Sequence, residues 1–439
     1  MSKKNEKTRI SLKERVKLYS SVACEFLRGT CDPDSKYYMR LEEKVPEYTL
    51  PDPLVMDDGT KVETKENWVN KRRPEILELF KTNVYGKSPD PPKELDFKVT
   101  LVDESVFNGL ATRKEVEITL TGEGKLMDLL LHIPNVSINA GKQVPAFLGL
   151  NFYGNQTIHD DPCITLKEEK TYYRLPLKGR GPISRSRGIR KDRWQLEHVL
   201  KNGYALGTIY YCDIFPDIPN GLPLSIIPHF FKKEQTQPAV DEWGAISAWA
   251  WGLSRGLDYL EKDEHVDAER VAVIGHSRLG KTALWAAAQD ERFTIAISNN
   301  SGCGGAAISR RHMGETVKRI NDVFPHWFCD NFKQYNEKEG DLPVDQHMLI
   351  SLIAPRPVYV ASSQKDLWAD PLGEFLGALH ADPVYRLLDT EGLPVKKMPK
   401  VNKPIAGRIG YHMKKGRHSI TLYDWKEYIK FANKHFNIE

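Results

Sequence analysis

Apolar and polar residues follow two patterns along the chain. In residues 97–102, 116–120 and 126–133 they alternate, as is typical of half-buried antiparallel strands. Residues 145–151 and 203–212 are almost continuously apolar, as expected for parallel strands covered on both faces. We therefore predict a sheet that begins antiparallel and becomes mostly parallel.

Later segments alternate between strand and helix patterns. Residues 293–298 and 357–362 are further predicted strands, and residues 243–260 and 423–436 have the composition and spacing of helices. This βαβ order places one α/β domain at residues 46–439. Residues 1–45 are charged, and we predict a helical N-terminal extension there.

Residues 271–281 contain the most informative local pattern. Four apolar residues lead into Gly275, and a strong helical sequence begins soon after Ser277. A strand that reverses into a helix so quickly forces its middle residue into a strained turn, and Gly275 and Gly280 give the backbone room. This is the nucleophile elbow of α/β-hydrolases, although Ser277 could simply cap the helix. The elbow predicts an α/β-hydrolase fold, a three-layer αβα sandwich with a mostly parallel central sheet and antiparallel N-terminal strands.

A serine nucleophile needs a base and an acid, which this fold supplies in the chain order serine, acid, histidine. His418 lies in a turn just before the last helix and is the predicted base, with His412 and His435 as weaker alternatives. Asp366 follows an apolar strand and fits the acid. Asp370 precedes a proline, so we predict that it caps the next helix.

Composition limits the functions to consider. The 439 residues carry a net charge of only +4, which does not favour a nucleic-acid partner. No apolar run has signal-peptide or membrane-spanning length, so we expect a soluble chain without a membrane partner, either intracellular or given without its export signal. We also predict a monomer.

The cysteines and one basic stretch leave alternatives open. The cysteines show no zinc-ligand spacing, so no metal or other cofactor is predicted, but a bridge between Cys303 and Cys329 is possible. The basic residues of 180–193 fit a solvated loop better than an anionic-ligand site. The glycine-containing residues 152–155 follow an early strand, where this fold places oxyanion-hole donors. The six cysteines are Cys24, Cys31, Cys163, Cys212, Cys303 and Cys329, and the basic residues are Arg180, Arg185, Arg187, Arg190, Lys191 and Arg193.

A series of colinear motifs resembles the glucuronoyl esterases of carbohydrate esterase family 15, and their bacterial branch in particular. Gly275-His-Ser-Arg-Leu-Gly-Lys281 matches the family's Gly-x-Ser-Arg-x-Gly-Lys signature. The likeness runs from Tyr48 to the C-terminus. Its other motifs are Tyr48-Thr-Leu-Pro-Asp-Pro53, Trp249-Ala-Trp-Gly-Leu-Ser254, Ser301-Gly-Cys-Gly-Gly305, Asp345-Gln-His-Met348, Ala354-Pro-Arg-Pro357 and Asp366-Leu-Trp-Ala-Asp370.

The resemblance implies a metal-free serine esterase with Ser277 as nucleophile, His418 as base and Asp366 as acid. Arg278 would stabilise the oxyanion. Three further positions match those that bind the uronate, although each has an ordinary structural explanation as a surface, helix-face or packing residue. They are Lys281, Glu315 and Trp368.

The implied substrate is the ester between 4-O-methyl-D-glucuronic acid side chains of xylan and lignin alcohols. An acetyl xylan esterase or a general carboxylesterase is the alternative, and a non-catalytic carbohydrate-binding relative is disfavoured because all three triad residue types are present. The family substrate suggests a secreted or periplasmic protein, but we expect no signal peptide in the sequence as given, so its location stays open.

Two positions depart from the fungal members of the family. Those members carry a glutamate after the strand that follows the elbow, where this chain has Asn300. An amide cannot supply the negative charge that stabilises an imidazolium, which leaves Asp366 as the acid. Fungal members also carry a bridged cysteine before the serine, where this chain has His276, so packing must hold that turn.

Overall fold

A computed structural model describes residues 41–93, 95–120, 124, 126–167 and 183–438. Within these residues ten strands form one sheet, in the order β1-β2-β3-β5-β4-β6-β7-β8-β10-β9. The strands are β1 Asp96–Ser105, β2 Ala111–Thr119, β3 Leu126–Pro134, β4 Val144–Asn151, β5 Ala205–Tyr210, β6 Val266–His276, β7 Ile295–Asn299, β8 Val358–Ser363, β9 Ile405–Ala406 and β10 Ile409–Lys414.

The sheet changes from antiparallel to parallel along its width, as the sequence pattern predicts. β1, β2, β3 and β5 pair antiparallel in succession. From β5 through β4, β6, β7 and β8 to β10 every pair is parallel, and only the short β9 is antiparallel to β10. Every position of β4 and β5 is buried, which explains their almost continuously apolar sequence.

Helices cover both faces of the sheet. Successive residues of β6 alternate between two buried hydrophobic clusters, with Val271 and Val273 in one and Ala272 and Ile274 in the other. This alternation is the period-two geometry of a strand between two helix layers, so the predicted three-layer α/β-hydrolase architecture is confirmed. The principal helices are α1 Arg73–Phe80, α2 Leu196–Lys201, α3 Ala245–Leu260, α4 Arg278–Gln289, α5 Val317–Val323, α6 Gln346–Ser351, α7 Pro371–Leu387 and α8 Leu422–Phe436. Shorter helical segments are Glu42–Lys44, Lys65–Asn67, Trp68–Arg72, Lys81–Tyr85, Val106–Gly109, Asn135–Asn139, Asn155–Thr157, Ile183–Ser186, Lys191–Trp194, Tyr211–Asp213, Leu222–Leu224, Ile227–Phe230, Ser309–Arg311, Asp330–Tyr335, Glu339–Asp341 and Leu367–Ala369.

The two buried hydrophobic clusters pack helices against both faces of the sheet. α1, α3, α4, α6 and α7 contribute to the larger cluster, while α2 and α8 contribute to the smaller one. In the described part of the chain, no helix is both long and apolar enough to cross a membrane.

The N-terminal extension falls mostly outside the described residues, as do Cys24 and Cys31. The part that is described makes one specific contact, because both Glu42 carboxylate oxygens accept hydrogen bonds from Arg311 Nη2, at 3.0 and 2.7 Å. The division at residues 45 and 46 stays a prediction.

Candidate active site

Ser277 lies in a strained turn between β6 and α4. Its backbone has φ +59° and ψ −130°, outside the regions that L residues normally adopt. A Cβ on Gly275 would lie 1.8 Å from the Leu279 carbonyl oxygen, so only glycine fits there. The Ser277 N–H donates to the Asn299 carbonyl at 2.8 Å, which ties the turn to the end of β7. The conformation is that of the predicted nucleophile elbow, with a half-buried serine at its tip.

His418 and Asp366 lie side by side beyond two neighbouring parallel strands. Asp366 follows β8 and His418 follows β10, so both emerge at the carboxyl edge of the sheet. The His418 Nδ1 lies 2.6 Å from Asp366 Oδ2. The Asp366 side chain is only 5% exposed, whereas that of His418 is 38% exposed. The carboxylate is therefore shielded while the imidazole remains accessible.

Asn300 contacts the same carboxylate from the end of β7. Its Nδ2 donates to Asp366 Oδ2 at 2.8 Å, and its Oδ1 accepts from the Ser363 hydroxyl at 3.1 Å. The residue has a φ of +49°, which asparagine tolerates better than most residues do. The amide at this position thus orients Asp366 by donating a hydrogen bond.

The two weaker histidine candidates are engaged elsewhere. The His412 ring is fully buried between the Asp424 carboxylate and the Tyr359 hydroxyl, each 3.0 Å away. The His435 Nε2 lies 3.0 Å from the Gly407 carbonyl oxygen, and burial lowers the pKa of this histidine to about 4. Neither contacts Asp366, and the structure favours His418 as the partner of the acid.

Arg278 is buried at the first position of α4 and held from several sides. Its Nη1 forms an ion pair with the buried Asp217 carboxylate, which also accepts from the Trp327 indole at 2.8 Å. The guanidinium carbon lies 4.3 Å from the centre of the Trp327 ring and 5.9 Å from that of Phe152, in the predicted oxyanion loop. Among the described residues, nothing accepts a hydrogen bond from the buried Arg278 Nε. The cation is therefore fixed next to Ser277 by Asp217 and by the Trp327 ring.

Lys281, Glu315 and Trp368 come together, as the resemblance implies. Lys281 is 3% exposed, and its Nζ donates to the Ser301 carbonyl at 2.6 Å and to that of Cys303. It also lies 3.4 Å from Glu315 Oε2. The Glu315 backbone N–H donates to the Trp368 carbonyl at 3.0 Å, which ties the backbone of the half-buried Trp368 to the charged pair. The surface location that Lys281 could have had is excluded.

A buried carboxyl group supports the loop that carries Asn300. Glu374, in the first turn of α7, accepts hydrogen bonds from the backbone N–H groups of Ser301 and Gly302 at 2.7 and 3.0 Å. Its other oxygen accepts from the Ser362 hydroxyl at 2.6 Å. Burial raises the pKa of Glu374 to about 8. No motif identified this residue or Asp217; the only available signal for Glu374 was a carboxylate near a helix start.

Asp370 and the basic stretch test two further predictions. Asp370 caps α7 by accepting a hydrogen bond from the Gly373 N–H at 2.9 Å, as predicted. The solvated-loop prediction is wrong for part of residues 180–193. Arg187 donates to two backbone carbonyls, Arg190 lies over the Tyr153 ring at 4.6 Å, and Arg193 is half-buried, which lowers its pKa. Arg180 lies outside the described residues.

The cysteines do not form the bridge that the sequence left open. Cys303 and Cys329 are both buried free thiols. Burial raises the pKa of Cys329 to about 12 and that of Cys303 further still. Because the thiolate is the reactive form, neither is suited to act as a nucleophile.

Sequence comparison decides the family. Carbohydrate esterase MZ0003, from an unknown prokaryotic organism, is 51% identical over 398 residues, which cover 90% of this chain and 91% of that protein. The chain belongs to carbohydrate esterase family 15. Within this family, a model of fungal glucuronyl esterases matches residues 237–389. The 4-O-methyl-glucuronoyl methylesterase of Phanerochaete carnosa is 27% identical over 361 residues, covering 77% of this chain and 72% of the relative.

Solved structures of family 15 esterases are similar to this chain over most of its length. The glucuronoyl esterase from Solibacter usitatus superposes with a TM-score of 0.85 at 47% identity, covering 90% of this chain and all of that one. A promiscuous family 15 esterase from a marine bacterial metagenome gives a TM-score of 0.84 at 50% identity, covering 91% of this chain and all of that one. This family 15 member is a carboxylic ester hydrolase.

Proposed function

We propose that this family 15 esterase hydrolyses the ester between 4-O-methyl-D-glucuronic acid side chains of xylan and lignin alcohols. The observation that carries the proposal is the buried Lys281–Glu315 pair, which begins one helical turn after Ser277 and joins Trp368. Charged hydrogen-bonding groups beside an aromatic ring suit a sugar, whereas a small acetyl group has nothing to bond with them. The glucuronoyl esterase names of the P. carnosa and S. usitatus relatives support the same substrate class.

In the proposed acylation step, the Ser277 hydroxyl attacks the ester carbonyl carbon. The His418 Nδ1 faces Asp366, so that nitrogen carries the proton and Nε2 is free to accept one from Ser277. The carbonyl oxygen becomes an alkoxide as the new C–O bond forms, and Arg278 stabilises its charge. The tetrahedral intermediate then releases the lignin alcohol, which takes the proton from His418 and leaves a glucuronoyl ester on Ser277.

The second half of the cycle repeats this chemistry with water. His418 takes a proton from a water molecule as its oxygen attacks the acyl carbon, and Arg278 again faces the developing alkoxide. Collapse breaks the bond to Ser277, whose oxygen recovers the proton from His418. The product is a free uronic acid, which ionises at neutral pH.

The sugar itself would be held by the second group of residues. In this proposal Lys281 and Glu315 bond hydroxyl groups of the uronate, and the half-buried Trp368 packs against its ring. These contacts bind the acyl part, which is the same in every glucuronoyl ester. Specificity for the uronate therefore rests on this charged pair, independently of the leaving alcohol.

Comparing substrates tests the proposal directly. We expect kcat/KM for benzyl glucuronate to exceed that for p-nitrophenyl acetate and for acetylated xylan. Replacing Glu315 by Gln should lower kcat/KM for benzyl glucuronate while leaving that for p-nitrophenyl acetate nearly unchanged. A clear preference for the acetyl substrates would instead support the second candidate, an acetyl xylan esterase or general carboxylesterase, which the description of the metagenome relative as promiscuous favours.

The nucleophile has its own test. Ser277→Ala should abolish turnover of both substrate types, because no other described group lies in an elbow with its hydroxyl at a helix start. Mass spectrometry of the wild-type enzyme quenched during turnover should detect a glucuronoyl adduct on the peptide containing Ser277. Unchanged activity in the alanine variant would overturn the assignment.

A further inference from the structure

The residue before the nucleophile makes an unusual contact. His276 is the last residue of β6, is 7% exposed, and has its ring centroid 4.5 Å from that of His418, with the two ring planes 42° apart. It therefore lies directly against the predicted base, on a rigid strand rather than on a loop.

Hydrogen bonds fix the tautomer of this second imidazole. Its Nδ1 lies 2.6 Å from Asn299 Oδ1. The Asn299 Nδ2 donates to the Tyr428 hydroxyl at 2.7 Å and to Asp424 at 3.2 Å, so Oδ1 is the acceptor and His276 Nδ1 carries the proton. The His276 ring cannot turn without breaking this bond.

The His276 ring is also held neutral. Burial, above all, lowers its pKa well below the usual range, and the neighbouring His418 and Arg193 lower it further. Protonation would place a second cation against a base that itself becomes an imidazolium during each turn of the proposed cycle. A neutral ring imposes no such repulsion.

The tilted ring contact from His276 supplies a restraint that the Asp366 hydrogen bond alone lacks. That bond holds the His418 Nδ1 at 2.6 Å but leaves the imidazole able to swing about the bonded atom, and its side chain is 38% exposed. We propose that His276 is a positioning residue for the base, a neutral ring that keeps the His418 imidazole oriented towards Ser277. The inference rests on the triad proposed above.

Three variants separate the ring from its hydrogen bond. His276→Phe keeps a flat ring but loses the bond to Asn299, His276→Gln keeps a polar group but loses the ring, and His276→Ala loses both. A cavity of about 30 Å³ borders His276, between Phe152 and Trp425, and gives the larger phenyl ring some room. His132→Phe is the matched control, because His132 is a fully buried histidine whose pKa is lowered to about 3 and whose ring stacks on Phe107 instead.

The decisive readout is steady-state kinetics on benzyl glucuronate, with kcat calculated per folded enzyme molecule. We expect kcat of His276→Gln and His276→Ala to fall by roughly 10- to 100-fold with little change in KM, because small misplacements of a catalytic group can cost about 100-fold. His276→Phe should recover most of that loss, and His132→Phe should keep the wild-type kcat.

Two results would overturn the inference. One is wild-type kcat in His276→Gln, and the other is a loss in His276→Phe as large as that in His276→Gln; both variants keep the strand filled, so the conclusion does not depend on alanine folding. Ser277→Ala and His418→Ala are measured alongside. If those two remain active the proposed triad is wrong, whereas inactive triad variants with fully active His276→Gln would refute the positioning role alone.

Discussion

Replacing Asp366 by Asn removes a charge while preserving the shape of the site. The Asp366 Oδ2 accepts from both His418 Nδ1 and Asn300 Nδ2, at 2.6 and 2.8 Å. An asparagine that places its carbonyl oxygen at this point keeps both hydrogen bonds. The variant therefore tests whether negative charge, beyond orientation, is needed when His418 becomes an imidazolium.

The size of the effect follows from the distance between the charges. Opposite unit charges about 4 Å apart at an effective dielectric constant of about 20 attract by about 4 kcal/mol, which corresponds to roughly a 10³-fold change in rate. The Asp366 side chain is 5% exposed, but that of His418 is 38% exposed, and solvent screening reduces the attraction. We therefore expect kcat to fall by roughly 10²- to 10³-fold.

The assay is turnover of benzyl glucuronate at pH 7, with KM measured in parallel and expected to change little. Asp370→Asn is the matched control. Asp370 is also buried, but its carboxylate pairs with Arg311 and caps α7. That variant should lower the melting temperature, because it weakens a buried ion pair, while kcat per folded enzyme stays near the wild-type value.

Near-wild-type turnover in Asp366→Asn would refute the assignment of the acid. A second variant tests the charge argument by moving the carboxylate to another position. Adding Asn300→Glu to Asp366→Asn restores a carboxylate at the neighbouring strand end, where the fungal members carry theirs, and should recover about a tenth or more of the lost rate if charge near His418 is what matters. No recovery would mean that the position of the acid is as important as its charge.

Three further changes test the supporting residues. Arg278→Lys keeps the charge but loses the planar guanidinium whose Nη1 pairs with Asp217, so kcat should fall by roughly 10²-fold with KM nearly constant in the same assay. Glu374→Gln removes a carboxyl group whose pKa burial raises from 4.5 to about 8. Because the folded state binds this proton more tightly than the unfolded state, the wild type loses stability as the pH rises through this window, and calorimetry should show a smaller fall in melting temperature for the variant. Lys281→Met leaves Glu315 buried without its cation and should cost about 3 to 5 kcal/mol in urea unfolding, whereas adding Glu315→Leu should restore stability but not turnover. Unchanged turnover in the arginine variant, an equal pH dependence for Glu374→Gln, or a single Lys281 variant as stable as the double would contradict the respective argument.

The elements that sequence predicts well are those with a local signal. The elbow at Ser277 is marked by a strand, two glycines and a helix within eleven residues, and Asp366 and His418 each follow a recognisable strand or precede a recognisable helix. The signal that predicts the strands of the sheet is equally local, because an alternating pattern indicates burial on one face and a continuous apolar run indicates burial on both. Family resemblance then assigned roles to residues that have no such signal.

Long-range polar partners could not be predicted in this way. Asp217 reaches Arg278 across 61 positions and Glu374 reaches Ser301 across 73, and neither pairing leaves a periodicity in the sequence. The prediction of a solvated loop for the basic residues of 180–193 was wrong in part for a related reason. Charge runs usually face solvent, but tertiary structure supplies carbonyls for Arg187 and an aromatic ring for Arg190, and these contacts are invisible along the chain.

The start of α4 shows why such distant partners are needed. A helix N-terminus carries partial positive charge and favours anions, yet this one buries two cations, Arg278 and Lys281, in its first turn. Burial and the helix dipole both oppose this arrangement, so Asp217 from earlier in the chain and Glu315 from later must offset it. Ser277 is the N-cap of this helix, so the partial positive charge of the helix N-terminus lies where the proposed reaction develops an alkoxide. The segment that suits catalysis best is thus the one that would be least stable alone, and its compensating carboxylates are as much part of the site as the serine.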